Sequence, residues 1–371
     1  MKITCNREQL LTAFQTAATV APARSPKPIL RNVKLEVIND CSTLMATDME
    51  VGIRFEVEGI EIQTPGSVLL PVSQFGSILR ESNDQSLSIV ADTQGTTVSG
   101  DRSEFKLSAE SPDEFPNVSA FDAETYHEVP ARLFKELVRR TLFATDAESS
   151  RYALGGVLLE LTADKIIAVA TDGRRLAKME GPAQSVGDHG SSDTMTIVPS
   201  RAMQLMDRAL SDGDAEIMVA ARANDILVKS QRATIYSRLV DGRFPKWREV
   251  FPDRQVSTKF DVTVGPLYSA VRQAAIVSSE ESRGLDFTFG EGNLVMAGLT
   301  AEVGQSRVEL PIPYTGELIT VTLDHRFVAD FLKVLDSEKT VTVDIQGSDA
   351  AALFLTDDGY GYVVMPLARD N

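Results

Sequence analysis

Two aspartates are the residues of this sequence that come closest to a catalytic pair. Asp48 and Asp172 each end an Ala-Thr-Asp triplet, at residues 46–48 and 170–172. An aspartic dyad needs two Asp-Thr/Ser-Gly loops held in buried contact, so that the carboxylates share one proton. Met49 follows the first Asp. We therefore interpret both aspartates as turn residues at strand ends that were duplicated together with their surroundings.

The other reactive residue types form no recognisable site. The sequence contains neither the phosphate-binding loop G-x-x-x-x-G-K-[ST] nor the nucleophile elbow G-x-S-x-G. His127, His189 and His325 are isolated, and no two of them have metal-ligand spacing. Cys5 and Cys41 form no Cys-x-x-Cys motif. These observations predict a protein that is not an enzyme and that holds no metal or other cofactor.

Length and composition limit the class of protein. A chain of 371 residues with 43% hydrophobic and 24% charged residues predicts a soluble globular protein of two or three domains. We expect no signal peptide and no membrane span, because no apolar run approaches about 18–20 residues. Two cysteines are too few for a disulfide framework, so we expect a reducing cytoplasm. We expect both cysteines to be buried as small hydrophobic residues, and a single disulfide between them is the alternative.

The net charge of −16 argues against nucleic-acid binding, since such proteins usually present a basic face. The argument weakens if the basic residues are gathered on one surface. Charges more than about 8 Å away are largely screened at physiological salt, so the distribution of charge matters more than its sum.

One sequence pattern occurs three times along the chain. A loop leads into an alternating strand at Asn32–Val37, at Gly156–Leu161 and at Asp286–Phe289. Phe-Pro pairs close the first two copies at residues 115–116 and 244–245. The repetition predicts an α+β fold of three modules, each with two helices packed on antiparallel sheet. We place the modules at residues 1–124, 125–254 and 255–371.

Each copy also contains two amphipathic stretches that predict helices. These stretches are Gln9–Phe14, Gln74–Leu79, Arg132–Leu137, Arg201–Met206, Pro266–Val271 and Arg326–Phe331. Ser73 and Ser200 are expected at or near helix N-caps, and Asp324 can cap the last helix. Residues 185–193 are predicted to form a mobile loop inside the second module.

Basic residues recur on the predicted helices of all three modules. In the helix expected near residues 130–142, Leu133, Leu137 and Val138 form an apolar stripe and arginines occupy the remaining surface. The basic residues of the helices are Arg80, Arg132, Lys135, Arg139, Arg140, Arg201, Arg208, Arg272, Arg326 and Lys333. A solvated face explains any single helix. The repetition favours a surface that follows DNA phosphates without reading bases.

Four segments spread over the chain carry a resemblance to a known family. They are Lys27–Leu30, Ala170–Leu176, Leu239–Pro245 and Tyr362–Leu367. In register over essentially the whole chain, the sequence resembles the bacterial replicative sliding clamp, the beta subunit of DNA polymerase III. The resemblance implies a head-to-tail homodimeric ring of clamp modules that encircles duplex DNA and acts as a processivity factor.

The resemblance also implies partners. They are double-stranded DNA bound without sequence preference, a second copy of the chain, the polymerase III alpha subunit, clamp-loader subunits and other proteins with a clamp-binding motif. No membrane partner is implied, and the expected location is the cytoplasm, in association with the nucleoid. The alternative is a non-catalytic, open protein that binds a peptide or glycan.

Two contact regions are implied by matching positions. The dimer joint would bring Phe105 and Leu107 of an edge strand against Ile276 and Val277 at a helix end. The alternation at Phe105 and Leu107 fits the inward face of an ordinary strand equally well. The residues implied to touch DNA are Arg24, Arg80, Arg132, Arg139, Arg151 and Arg201.

A hydrophobic cleft that receives short linear motifs is implied by a third set of positions. Its residues would be Leu154, Thr171, Gly173, Arg174, Leu176, Pro245, Val250, Val363, Val364, Met365, Pro366 and Leu367. Two departures from the family pattern lie here. Arg174 stands where well-known members carry His, and Glu249 stands where Arg is frequent. Apolar side chains and a flexible Met make an adaptable socket for Leu and Phe anchors of an extended peptide.

Overall fold

The computed structural model describes residues 1–38, 41–108, 110–146, 153–190, 195–210, 215–251, 254, 257–279, 283–300 and 303–368. Within these residues one order of elements occurs three times. A strand and a helix are followed by a group of strands, then a second helix and three closing strands. The middle group has five strands in the first two copies and four in the third. The predicted α+β fold of three repeated modules is confirmed.

The elements of the first two copies have the following bounds. The first copy contains β1 (Lys2–Asn6), α1 (Arg7–Ala18), β2 (Asn32–Ile38), β3 (Cys41–Thr47), β4 (Val51–Glu56), β5 (Ile60–Thr64), β6 (Gly66–Pro71), α2 (Val72–Glu81), β7 (Ser86–Asp92), β8 (Gly95–Ser99) and β9 (Glu104–Ser108). The second contains β10 (Tyr126–Pro130), α3 (Ala131–Thr141), β11 (Gly156–Leu161), β12 (Lys165–Thr171), β13 (Arg175–Pro182), β14 (Gln184–Val186), β15 (Thr196–Pro199), α4 (Ser200–Ala209), β16 (Glu216–Ala221), β17 (Asp225–Lys229) and β18 (Ala233–Arg238).

The rest of the chain begins with a short helix, α5 (Trp247–Val250). The third copy then contains β19 (Thr258–Thr263), α6 (Val264–Ala274), β20 (Gly284–Gly290), β21 (Asn293–Thr300), β22 (Gly304–Pro311), β23 (Ile319–Asp324), α7 (His325–Lys333), β24 (Thr340–Ile345), β25 (Ala352–Leu355) and β26 (Tyr360–Val364). Short 3-10 turns occupy Pro28–Arg31, Pro112–Glu114, Leu142–Ala144 and Ala275–Val277. All six amphipathic stretches predicted from the sequence lie in or overlap helices.

The helix starts were predicted only in part. Asp324 caps α7, because its carboxylate accepts the N–H of Arg326 at 3.0 Å. Ser73 and Ser200 lie near the N-caps of α2 and α4, as predicted, but neither is the N-cap residue. Pro71 and Pro199 occupy the N-cap positions of α2 and α4, and neither helix has a side-chain cap. Proline has no side-chain oxygen that could accept an N–H of the first helical turn, so these two helices begin without a side-chain cap from the N-cap residue.

The described chain divides into two compact units. The first comprises residues 1–135, 162–164 and 183–239. It holds a five-stranded sheet in the order β5-β1-β7-β8-β9 and a nine-stranded sheet in the order β14-β10-β16-β17-β18-β4-β3-β2-β6. Strands β18 and β4 pair in antiparallel register from Ala233 opposite Phe55 to Ser237 opposite Val51. This ladder joins strands of the first and second copies in one sheet.

The second unit comprises residues 136–161, 165–182 and 240–371. Seven of its strands follow one another in the order β11-β12-β13-β26-β25-β24-β19, and four others form a sheet in the order β22-β21-β20-β23. Strands β13 and β26 pair from Arg175 opposite Val364 to Met179 opposite Tyr360. The chain's last strand therefore completes a sheet that begins in the second copy.

A buried histidine pair lies in the first unit, where the sequence predicted isolated histidines. The Nδ1 atoms of His127 and His189 are 2.6 Å apart. The other nitrogen of His127 lies 2.6 Å from the Thr162 carbonyl, and that of His189 lies 3.1 Å from the backbone N of Ala221. The predicted loop is wrong for residues 185 and 186, because they belong to β14 (Gln184–Val186), which pairs with β10. Residues 191–193 lie outside the described residues.

The remaining sequence-based expectations concern cysteines, metals and membranes. Cys5 is buried and Cys41 is exposed, and both are free thiols, so burial was predicted correctly for Cys5 alone. Burial raises the pKa of the Cys5 thiol to about 11. Among the described residues no three His, Cys, Asp or Glu side chains are grouped as metal ligands. No helix in the described parts of the chain is long and apolar enough to cross a membrane.

Candidate functional site

The second Ala-Thr-Asp triplet forms a tight turn between β12 and β13. The Asp172 carboxylate accepts the backbone N–H groups of Arg174 and Arg175 at 2.9 and 3.0 Å. The Thr171 hydroxyl donates to the Arg175 carbonyl at 2.6 Å and accepts the N–H of Gly173 at 3.0 Å. Asp172 thus works as a turn residue, as the sequence predicted.

Register determines which side chains share a face of the sheet beside this turn. Leu176 lies opposite both Thr171 and Val363, and the N–H of Met365 donates to the Arg174 carbonyl at 2.9 Å. Residues opposite each other in an antiparallel pair project to the same side, and neighbours along a strand project to opposite sides. The five residues named here therefore lie on one face, which we call the cleft face.

The segment at residues 245–251 covers part of the cleft face. Gly361 is two residues before Val363 on β26 and therefore faces the same side of the sheet. A Cβ built at Gly361 would lie 2.4 Å from the Phe251 ring. The indole of Trp247, on α5, donates to the Glu160 carboxylate at 3.0 Å. These contacts hold α5 and Phe251 beside the apolar floor formed by Leu176 and Val363.

Arg175 lies on the opposite face and joins the turn to α7. Its guanidinium bonds Asp172 at 2.9 Å, Asp330 at 2.6 Å and the Phe143 carbonyl at 2.7 Å. The guanidinium carbon also lies 4.4 Å from the centre of the Phe327 ring. These contacts fix the end of the strands that carry the cleft face, a role for Arg175 that was not predicted from the sequence.

Of the twelve residues predicted for the cleft, the register places Thr171, Arg174, Leu176, Val363 and Met365 on the cleft face. Within the second unit Leu154, Thr171, Leu176 and Val363 are buried; Pro245, Pro366 and Leu367 are half-buried; and Gly173, Arg174, Val250 and Met365 are exposed.

Val364 is not brought to the cleft face. It lies opposite Arg175 and is fully buried, on the side where Tyr362 stacks on Phe331 at 4.9 Å. Phe251 and Gly361, which shape the cleft face, were missed, because their contact joins segments that are far apart in sequence. The sequence offered one signal for this contact, because Gly361 stands between two tyrosines inside β26. A glycine inside a strand often marks a place where another segment approaches the backbone closely.

Three domain families match the chain one after another. They are the N-terminal, central and C-terminal domains of the DNA polymerase III beta subunit, at residues 1–119, 128–246 and 248–368. The chain belongs to the DNA polymerase III beta subunit family. The resemblance found in the sequence and the predicted sliding-clamp function are confirmed.

Relatives and solved structures of this family match over their full length. The chain is 29% identical to the beta sliding clamps of Pseudomonas putida and Escherichia coli, over 99% of its length and 100% of theirs. A sliding clamp from Pseudomonas aeruginosa bound to griselimycin is 28% identical, with a TM-score of 0.92 and full coverage of both chains. A Bacillus subtilis clamp at 21% identity has the same fold, with a TM-score of 0.92 over 100% of this chain and 99% of that one.

The arginines predicted to touch DNA in this member of the beta subunit family differ in their surroundings. Arg24, Arg80 and Arg132 are exposed. Arg139 and Arg201 are exposed as well, but each forms an ion pair: Arg139 with Glu136 at 2.7 Å, and Arg201 with Asp48 at 2.5 Å. The guanidinium of Arg80 donates a hydrogen bond to the Ser77 hydroxyl at 3.2 Å. Arg151 lies outside the described residues.

Of the four residues predicted for the dimer joint, two are exposed and two are half-buried. Phe105 is 38% exposed and Leu107 is half-buried, both on β9 at the edge of the five-stranded sheet. Ile276 is 75% exposed and Val277 is half-buried, in the 3-10 turn that follows α6. Apolar side chains exposed at a sheet edge and at a helix end fit a contact with another chain.

Proposed function

We propose that this beta subunit closes as a head-to-tail homodimer around duplex DNA and holds its partner proteins through the cleft face. Two copies would supply six clamp modules, with helices toward the DNA and sheets outside. The joint would bring Phe105 and Leu107 of one copy against Ile276 and Val277 of the other. A head-to-tail interface of this kind closes when the rotation between copies completes a ring.

The observation that carries the partner-binding part of the proposal is the cleft face itself. Leu176 and Val363 give it an apolar floor, Phe251 and α5 lie to one side, and Met365 is 43% exposed at the strand end. An extended peptide with apolar anchors suits such a surface, because pockets between fixed strands receive alternate side chains. The proposed occupants are segments of the polymerase alpha subunit, of clamp-loader subunits and of other DNA-handling proteins.

The proposed mechanism is topological. A closed ring cannot leave circular DNA, and a partner tethered to the ring stays at a high effective concentration near the primer end. Contacts of Arg24, Arg80, Arg132, Arg139, Arg151 and Arg201 with phosphates would be sequence-independent and sensitive to salt. Such contacts let the ring move along the duplex. We place the protein in the cytoplasm, in association with the nucleoid.

Retention on DNA of different topology tests the ring. The chain is loaded onto a nicked circular plasmid with its clamp loader and ATP, and the complex is isolated by gel filtration. One half is then cut at a single restriction site. The ring predicts that protein stays on the circle and is lost from the linear form. Equal retention on both forms would contradict the ring and favour ordinary DNA binding.

Molar mass in solution separates the ring from the alternative of an open peptide- or glycan-binding protein. The chain has a mass of 40.4 kDa, and the ring predicts about twice this mass by light scattering at micromolar concentration. Replacing Ile276 by Asp should shift the mass toward that of the monomer, while the matched change Ile38→Asp, at another exposed apolar residue, should not. A monomer for the unaltered chain would support the open protein.

Charge reversal tests the basic surface separately. The double variant Arg24→Glu with Arg139→Glu should reduce loading onto DNA and leave the dimer and the thermal unfolding midpoint nearly unchanged. Unaltered loading would remove these two arginines from the proposed DNA surface.

A further inference from the structure

We propose that Arg174 makes the cleft face selective for extended peptides that carry a carboxylate beside their apolar anchors. The inference rests on the peptide-binding function proposed above and adds the chemical class of the preferred side chain. Its basis is the position of Arg174 on the cleft face and the absence of a competing carboxylate partner within the described part of the chain.

The position of Arg174 follows from the strand ladder. Arg175 is paired with Val364, and the next backbone hydrogen bond joins the Met365 N–H to the Arg174 carbonyl at 2.9 Å. Arg174 and Met365 are therefore cross-strand neighbours on the cleft face, with Leu176 and Val363 next along their strands. Both members of the pair are exposed, so the guanidinium stands at the end of the apolar floor.

Three other basic residues, Arg175, Lys246 and Arg248, are already paired with carboxylates. Arg175 bonds Asp172 and Asp330, as described above. Arg248 bonds Glu160 at 2.5 Å, and its guanidinium carbon lies 4.3 Å from the centre of the Trp247 ring. Lys246 bonds Glu249 at 3.0 Å. Within the described chain, the side chain of Arg174 has neither a hydrogen bond nor an ion pair.

A free guanidinium at the end of an apolar floor recognises a carboxylate better than other side chains. It stays charged at all working pH values, and its planar fork of N–H donors matches the two carboxylate oxygens. A His at this position would be largely neutral at pH 7 and would offer one donor at a time. Arg174 therefore gives this chain a charge-based preference that a neutral side chain at the same position would lack.

Affinities of matched peptides test the preference. A labelled parent peptide with one Leu and one Phe anchor is compared with versions in which Asp or Asn is scanned through every other position. For the unaltered protein we expect one position at which Asp binds about threefold to fivefold more tightly than Asn, the range for an exposed ion pair. The ratio should fall as ionic strength rises.

Matched variants assign the preference to Arg174. Arg174→Gln should bring the Asp/Asn ratio close to one, because it weakens binding of the Asp peptide more than binding of the Asn peptide. Lys165 begins β12 and lies roughly 20 Å from the Thr171 end of that strand, where the turn with Arg174 starts. Lys165→Gln removes one positive charge there and should leave the Asp/Asn affinity ratio unchanged. Arg174→Glu should transfer the preference to a Lys peptide at the same position, which a purely structural role of Arg174 would not produce.

Two further results would overturn the inference. One is an Asp/Asn ratio that is the same in the unaltered protein and in Arg174→Gln at every position. The other is a ratio that is lost in Arg243→Gln instead, since Arg243 is also exposed and has no ion pair among the described residues. Absence of parent-peptide binding to the unaltered protein would instead refute the proposed function, and the inference with it.

Discussion

Met49 and Gly173 occupy the same position of the duplicated Ala-Thr-Asp turn and share one backbone conformation, with φ angles of 83° and 86°. In both turns the threonine hydroxyl accepts the N–H of this residue at 3.0 Å. In both, the aspartate carboxylate also accepts the next two N–H groups. The hydrogen bonds of the turn thus impose a positive φ on whatever residue stands there. Glycine tolerates that conformation, and methionine is strained by it.

The first prediction follows from this strain. Met49→Gly should raise the free energy of unfolding by about 0.5–1 kcal/mol, because relief of the left-handed conformation outweighs the added flexibility of glycine in the unfolded chain. Met49 is 46% exposed, so little packing is lost. The reciprocal change Gly173→Ala should lower the stability by about 1 kcal/mol through φ alone, since a Cβ there would meet nothing within 4 Å. Thermal unfolding midpoints that move in the same direction would contradict the argument.

Sequence reasoning predicted the part of the fold that is local or repeated. Amphipathic periodicity located the helices, and the threefold pattern located the modules, because both are written in neighbouring residues. The ladders β18–β4 and β13–β26 were not predicted, since they pair strands of different copies. The predicted boundaries at residues 124/125 and 254/255 stay predictions.

The candidate site was predicted in outline, because the family pattern that names its residues lies in short segments of sequence. Thr171, Leu176 and Val363 were named from the family pattern, and the register then placed them on one face. Val364 was named with them, but the pairing of β26 with β13 turns it toward the core. The contact between His127 and His189 spans 62 residues, and no spacing in the sequence announces it. Contacts of this kind depend on tertiary packing, which local patterns do not contain.

Arg175 gives the second prediction. Its side chain is 10% exposed, while that of its partner Asp330 is 42% exposed. Arg175→Met should lower the free energy of unfolding by about 2–3 kcal/mol, less than the loss of a fully buried pair, because water can still reach Asp330. The matched change Arg238→Gln breaks an exposed pair with Glu50, whose side chains are 61% and 64% exposed, and should have an effect of no more than about 0.5 kcal/mol. Equal shifts in the unfolding midpoint would contradict this ranking.

The third prediction concerns pH and the histidine pair. Burial lowers the pKa of His189 below its ordinary value of 6.5, and the charge of His127 lowers it further, against the opposing effect of the Ala221 backbone. The unfolded chain therefore binds the proton more readily than the folded chain. The stability that neutral His189 contributes is fully present above about pH 6.5 and is lost as the pH falls below that value. The slope should reach at most about 1.4 kcal/mol per pH unit.

His189→Gln isolates this contribution. The variant should be less stable at pH 8 by about 1–3 kcal/mol, because buried hydrogen bonds are broken, and its stability should fall less steeply between pH 6.5 and 5.5. His325, whose pKa burial also lowers, remains in both proteins and gives both the same residual slope. Chemical unfolding at a series of pH values measures the difference. Parallel curves for the two proteins would remove the pair as the source.

Gly361 gives the fourth prediction, which concerns binding of a partner peptide. A methyl group at this position would lie 2.4 Å from the Phe251 ring and 3.3 Å from a Leu355 methyl, and Gly361 is buried. Phe251 ends the segment that holds α5 beside the cleft face, so Gly361→Ala should displace that segment. We expect the affinity for a peptide with Leu and Phe anchors to fall about tenfold or more, with a stability loss of about 1–3 kcal/mol from overpacking.

Gly347→Ala is the matched control, because a Cβ there would meet nothing within 4 Å and its φ is not positive. That variant should bind the peptide as the unaltered chain does. Fluorescence anisotropy measures both affinities, and light scattering checks that both variants keep the mass of the unaltered protein. Full affinity in Gly361→Ala would show that the position of Phe251 does not shape the cleft face. An equal loss in both variants would point to a general effect of alanine in this region of the chain.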